Sequence, residues 1–489
     1  MTKQKSLKKN FIMNIFLTMS SFIFPLITFP YVSRILLPAG TGKISFATSV
    51  ISYFSMLSQL GIPMYGVRTC AKVRDDRHEL SKTVHEILIV NIVMSIIAYI
   101  ALFVLIFNVP KLSQEKPLFI IVSLTILFNA IGMEWLYKAL EQYTYITIRS
   151  LIFKIIAIVA MFLLVHEQKD YVIYGGITIF AASASSVFNF CNAWRFIDIK
   201  PMHGYNIKRH LKPIIVFFAM SCATTIYGSL DTVMLGFIKS DIDVGYYNAA
   251  VKIKNILVSV VTSLGVVLLP RASYYIEQGL KDEFYRVSKK ALHFIFLLAG
   301  PLSVYFILFA RTGIVFLSGG AYEGAIIPMQ IIMPTVLLIG LTNIMGIQML
   351  IPLGKEKIVL VSEIAGAIAN LLLNTILIPI FASSGAAVGT LIAELVVFIV
   401  QFVSLRKYAT KMYRSINYFH ILISILLSTI VALFIKYLRF NTFLELMLSA
   451  MAFFGMYGMM LLVFKEPLFV EILKQTIGKF LLRIRNKDN

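Results

Sequence analysis

Two ionisable side chains stand deep within long apolar runs, and they are the residues of this sequence best suited to do chemistry. Lys252 belongs to the series Asn248, Lys252, Asn255, Ser259 and Thr262. Asp231 closes a second series, Ser221, Thr225 and Gly228, with Thr232 beside it. Two more series, Ser45, Thr48, Ser52, Ser55, Gln59 and Asn14, Thr18, Ser21, Pro25, Thr28, run at the same steps of three and four. Polar groups facing hydrocarbon are costly, so a polar stripe on one face of an apolar helix points into a bundle or a wet cavity. There a cation can neutralise an anionic ligand, amides and hydroxyls can bind its polar atoms, and a carboxylate can take up a proton or a small cation. The candidate substrate-binding residues are Lys252, Asn255, Asn248, Ser52 and Gln59, with Arg34 near the outer end of the first helix. The candidate ion-coupling residues are Asp231 and Glu394, the deepest of the embedded acids Glu134, Asp231, Glu363, Glu394 and Glu445.

Each of these has a plainer reading. Small hydroxyls also serve helix packing. Lys252 lies seven residues in from the outer end of its helix, roughly 10 Å at 1.5 Å per residue, and either snorkels outward or faces the cavity; its place in a stripe favours the cavity. Arg34 either snorkels or reaches the same space, Lys254 snorkels or pairs, and Lys154 reads as an anchor at the inner end of its helix. Pro25 and Pro30 can bend the first helix.

The elements that must carry these residues are membrane spans. Of the 489 residues, 58% are hydrophobic and 14% charged, too few charges to cover soluble domains. A window of about 20 residues finds fourteen segments: 12–36, 44–66, 84–107, 118–137, 150–165, 171–194, 213–238, 245–270, 291–310, 324–351, 358–380, 384–405, 417–435 and 442–464. They have neither the length nor the alternation of barrel strands. With the N-terminus inside, 33 of the 45 Lys and Arg fall in cytosolic loops and tails, eight in outer loops and four within spans. That asymmetry places both termini in the cytosol. The first apolar run is long and lacks a small-residue cleavage site, so it is expected to be a retained helix. Residues 467–485 repeat apolar positions at helical spacing beside basic ones, which predicts an interfacial helix.

An internal repeat organises the spans. Gly42, Ala47 and Arg68 recur as Gly245, Ala250 and Arg271, all at an offset of 203 residues. Six spans separate equivalent points, so the halves have the same orientation, and binding is expected between them. The fold class is therefore all-α: a polytopic membrane protein with two parallel six-helix repeat lobes (1–212 and 213–416) around a central cavity. Two additional helices (417–464) and an amphipathic cytosolic tail (465–489) follow.

Other functions find little support. The net charge of +21 is dispersed in short clusters and forms no continuous basic surface for nucleic acid. Three cysteines make no disulfide framework, and the seven histidines show no metal-ligand spacing. No nucleotide-binding motif and no cofactor signature is present, and the longest outer loop, 311–323, is too small for a catalytic domain.

Six stretches carry a resemblance: PYVSRILLPAGTGKISFATSV (30–50), LGIPMYGVRTCAKVR (60–74), GMEWLYKALEQYTYITIRSLIFK (132–154), LDTVMLGFIKSDIDVGYYNAAVKIKN (230–255), LLPRAS (268–273) and GIQMLIPLGKEK (346–357). In order and over nearly the whole chain, the sequence resembles the polysaccharide flippases of the Wzx/RfbX type, in the multidrug/oligosaccharidyl-lipid/polysaccharide exporter superfamily. The resemblance implies alternating access and a cationic lumen. It implies transfer of an undecaprenyl-pyrophosphate-linked oligosaccharide from the inner to the outer leaflet of a bacterial plasma membrane, for surface polysaccharide such as capsule or exopolysaccharide. Membrane lipids, a polysaccharide polymerase and other assembly proteins are the implied partners. Lys252 would be the family's cation on the eighth helix, Arg34 its first-loop arginine, and Asp231 the aspartate of its seventh-helix motif. Drug-exporting relatives use acids on the first helix, and 12–36 contains none. A drug/cation antiporter of the same superfamily, or a membrane glycan-assembly enzyme, are the competing readings. Asp231 and Lys252 lie at similar depth on consecutive antiparallel helices, where they are expected to pair when no substrate is bound.

Overall fold

The computed structural model describes residues 7–414, 416–438 and 440–474. Regular structure among them is helical, with no strand. Apolar sequence in a bilayer leaves backbone N–H and C=O groups no water to bond, and a helix satisfies them within its own segment. The chain forms two compact units, Met1–Asn248 and Ala249–Asn489.

In the first unit, α1 (Leu7–Gln59) is broken at Leu37 (φ 56, ψ 177), just before Pro38. At 53 residues it is far longer than the about 20 needed for one crossing, so its two arms are separate elements. The second arm stops at Gln59. Leu60 and Gly61, both at positive φ, turn the chain into α2 (Ile62–Lys72), so the expected span 44–66 is interrupted before its end. Asp76 caps α3 (Arg77–Asn108), accepting the N–H groups of His78 at 2.9 Å and Glu79 at 3.1 Å. After the single turn α4 (Pro110–Ser113), the expected span 118–137 divides at Met133 (φ 42) into α5 (Lys116–Gly132) and α6 (Glu134–Ala139). The fifth span is longer than 150–165: α7 runs Tyr143–Leu164. Arg149, outside the expected span and counted among the cytosolic basic residues, is buried in that helix and donates to the Ser185 carbonyl at 2.8 Å. A π-helical turn, Phe180–Ala184, separates α8 (Tyr171–Ile179) from α9 (Ser186–Asn192). Last, α10 (Lys208–Ile238) bends by 52° between Ala219 and Thr224. An apolar core of Tyr65, Leu80, Val84, Ile87, Trp135, Tyr137 and Ile146 binds α2, α3, α6 and α7.

The next helix, α11 (Asp241–Glu277), starts in the first unit and continues into the second. There α12 (Lys281–Leu308) is followed by α13 (Ala310–Ser318), which gives the 311–323 segment a fold of its own. The expected span 324–351 is irregular: α14 (Ile326–Ile332), α15 (Thr335–Thr342) and a π-helical run, Asn343–Leu350. Spans eleven and twelve lie on α16 (Glu356–Ser404), broken at Ala382 (φ 48). A short helix, α17 (Arg406–Arg414), leads to α18 (Tyr418–Tyr437) and α19 (Thr442–Val463), which pack on α12 through Tyr305, Phe309, Phe453 and Tyr457. Beyond α19, Glu466 stands 3.0 Å from His293, and Lys290 donates to Glu471 at 2.7 Å. The interfacial helix expected over 467–485 lies outside the described residues after Lys474.

Among the described residues, eight helical stretches are long and apolar enough to cross a membrane, ten if each of two bent pairs is one crossing. The longest, Ile12–Lys72 and Glu356–Ser404, have 61 and 49 residues and contain the breaks described above.

Candidate functional site

Two of the four polar stripes converge inside the first unit. A cavity of about 270 Å³ lies between the second arm of α1, α5 and the bend of α10. Thr48, Ser52, Ser55 and Gln59 line it from α1, and Ser221 and Thr225 from α10. Their helical spacing explains the convergence, because residues three and four apart share a face. The hydroxyls and amides are cross-linked. Ser52 Oγ is 3.0 Å from Ser229 Oγ, and Gln59 Nε2 donates to Ser55 Oγ at 3.0 Å. Among the described residues no charged side chain lines the cavity, so it can solvate hydroxyl-bearing groups without fixing an ion.

Two contributors were missed in the sequence. Thr125 lines the same cavity with its Oγ1 buried and without a hydrogen-bond partner, and Asn129 Nδ2 donates to Ser55 Oγ at 3.3 Å. Their spacing, one helical turn within an otherwise apolar run, was the available signal. Lys154, expected as an anchor at the inner end of its helix, stands midway along α7. Its Nζ donates to Ser20 Oγ at 2.8 Å and Ser21 Oγ at 3.1 Å, tying α7 to the first arm of α1.

Asp231 is buried near the C-terminal end of α10 and accepts a hydrogen bond from the Tyr247 hydroxyl. Beside it, Asn248 Nδ2 donates to Thr232 Oγ1 at 3.4 Å and to the Val244 carbonyl at 3.0 Å. Arg34 is exposed on the first arm of α1 and donates to the Pro30 carbonyl one turn back. In the second unit, Lys252 is half-buried and Asn255 exposed on α11. Glu394 is buried on the second arm of α16, one turn beyond Thr390. The first arm carries Asn370 and Asn374, joined at 2.7 Å, and Asn374 packs against Gly389 of the second. No cluster of three or more His, Cys, Asp or Glu suited to a metal occurs among the described residues.

These features define a class. The chain matches the family described as polysaccharide biosynthesis protein over residues 7–276 and the MatE family over 216–380. It is 26% identical over 377 residues to a protein of Escherichia coli (strain K12) named as a candidate O-antigen transporter, covering 76% of this chain and 90% of that one. A second such protein, from Shigella dysenteriae, is 26% identical over 385 residues, covering 75% and 91%. Its fold resembles that of the lipid II flippase MurJ in an inward closed conformation, with TM-score 0.73, 15% identity and coverage of 94% and 99%. An inward-facing MATE family multidrug resistance transporter of the MOP superfamily gives TM-score 0.62 at 13% identity, covering 83% and 99%. The protein is a multi-pass membrane protein. It belongs to the polysaccharide biosynthesis protein family.

Proposed function

We propose that the protein moves an undecaprenyl-pyrophosphate-linked oligosaccharide from the inner to the outer leaflet of a bacterial plasma membrane by alternating access. The observation that carries this reading is the uncharged, hydroxyl- and amide-lined cavity in a family of polysaccharide biosynthesis proteins. Sugar hydroxyls exchange hydrogen bonds readily with Ser, Thr and Gln side chains. The embedded cations Lys252 and Arg34 would meet the pyrophosphate, and Asp231 or Glu394 would take a proton or Na⁺ if transport is ion-coupled.

The drive need not be chemical. A potential of 100 mV, interior negative, favours outward movement by about 2.3 kcal/mol per negative charge, or roughly 4–5 kcal/mol for two phosphate charges. Purified protein in vesicles should therefore translocate a fluorescent lipid-linked oligosaccharide faster under an outward-driving potential and without nucleotide. Strict dependence on ATP would overturn this drive. Export of hydrophobic cations, with no glycan translocation, would instead establish the drug/cation antiporter.

A further inference from the structure

A buried cluster of titratable groups lies away from the polar cavity, where the connector between the two halves enters α10. The connector is fastened along α3. Arg77 Nε donates to Asp198 Oδ1 at 2.9 Å, the Asp198 N–H to Ser81 Oγ at 2.9 Å, and the Asn206 N–H to Glu86 Oε1 at 2.7 Å. His85 Nδ1 is 3.0 Å from the Tyr205 hydroxyl. The row ends on His210, only 1% exposed, whose Nε2 lies 2.6 Å from the fully buried carboxylate of Glu86. On the other side of the ring, the Tyr65 hydroxyl of α2 is 2.6 Å from Nδ1.

The hydrogen-bond network assigns the protons. Glu86 is an acceptor, bound by Arg209 Nε at 2.8 Å and Arg209 Nη2 at 2.7 Å. Nε2 must then carry a hydrogen, and a neutral ring leaves Nδ1 to accept from Tyr65. In this state every group has a partner, and the Glu86 and Arg209 charges cancel. Protonation of Nδ1 changes both. It removes the acceptor of the Tyr65 hydroxyl, and it leaves a net positive charge beside a buried imidazole and carboxylate, with the part-exposed Arg209 holding its Nε 3.2 Å from Nε2. The titratable and charged groups facing the imidazole are Glu86 from α3, Tyr65 from α2 and Arg209 from α10.

We propose that Tyr65, Glu86, Arg209 and His210 form a proton-binding site, and that proton uptake releases the connector and the amino-terminal end of α10 from α3. The sign follows from linkage. The opened site, where water solvates the imidazolium, binds the proton better than the closed one, so acidification through the ordinary imidazole range favours opening. Neutral His210 keeps the site closed above that range.

Hydrogen–deuterium exchange of the full chain in lipid nanodiscs tests this, and it needs no substrate, so its outcome is independent of what is transported. After correction for the intrinsic pH dependence of exchange, amides of 198–219 should exchange on the order of tenfold faster at pH 5.5 than at pH 8, a one-unit difference in proton affinity. His210→Gln keeps a donor and an acceptor and should lose the response. Glu86→Gln should exchange fast at both pH values. A flat wild-type profile, or the same acid response in His210→Gln, would overturn the site. If Glu86→Gln does not fold, wild type and His210→Gln decide the question between them.

Discussion

Gly42 and Gly245, the residues that define the 203-residue repeat, pack against each other's surroundings reciprocally within the first unit. A Cβ on Gly42 would overlap the Asp241 carbonyl oxygen and sit 2.9 Å from Gly245 N, and one on Gly245 would lie 2.8 Å from the Pro38 carbonyl carbon. Pro38 and Asp241 are themselves 203 residues apart. Equivalent residues thus exchange equivalent contacts, the pattern of an isologous interface. Each glycine lies four residues beyond the chain reversal that follows its first helix, and the missing side chains let two backbones touch.

Backbone cannot move aside as a side chain can. Gly42→Ala and Gly245→Ala should each cost about 1–3 kcal/mol, the range of overpacked sites, read from thermal unfolding in detergent. Gly455, on α19, has open space where its Cβ would be. Gly455→Ala should accordingly stabilise by about 0.5–1 kcal/mol through helix propensity. Equal effects at all three positions would mean that the close approach is not rigid.

Single-cysteine labelling of intact cells, with Cys70, Cys191 and Cys222 replaced, tests the orientation. Cysteines at Ser113 and Phe316 should react with an impermeant reagent. Those at Asp76 and Gly204, both exposed on the expected cytosolic side, should react only after permeabilisation. Reaction at Gly204 in intact cells would reverse the topology.

What the sequence made legible was whatever repeats along one helix. Thr48, Ser52, Ser55 and Gln59 share a face because of their spacing, and they do line one cavity with Ser221 and Thr225. What it hid depends on partners far away in the chain. Arg149 looked cytosolic and Lys154 looked like an anchor because nothing nearby announces Ser185 or Ser20 as their acceptors. Glu86 and His210 are 124 residues apart, and neither stands in a polar stripe. The breaks at Leu37 and Ala382 fall in the gaps expected between spans, at 37–43 and 381–383, whereas Met133, a non-glycine residue at positive φ, breaks an expected span from within.

The cavity should contain water. At about 30 Å³ per molecule, 270 Å³ admits several waters, and its walls offer each of them polar partners. One of them would satisfy Thr125. Thr125→Val should then leave stability unchanged or lower it by up to about 1 kcal/mol, measured by thermal unfolding. Ser55→Leu, which fills the space, should reduce glycan export while the protein still reaches the membrane. A gain of more than about 1 kcal/mol in Thr125→Val would show that the cavity is dry and serves packing.

Asp231 and Lys252, on the expected seventh and eighth spans, give the most direct test of the transport proposal. Asp231 accepts from Tyr247, and a carboxylate has room for further donors. The proposal is that Lys252 is one of them in the substrate-free state, and that a pyrophosphate draws this lysine away on binding. Pairing limits the cost of holding either charge away from water. Releasing Asp231 would leave it open to protonation. Lys252→Ala should therefore abolish glycan export at normal protein levels, Lys252→Arg should retain some, and Lys252→Glu should be worst, since it sets two acids side by side. Asp231→Asn should spare folding and change the pH dependence of export. Tyr247→Phe removes only one donor and should fall between wild type and Asp231→Asn. Export at wild-type level from Lys252→Glu, scored as surface polysaccharide in cells lacking the native protein, would show that this lysine snorkels to the interface and takes no part in transport.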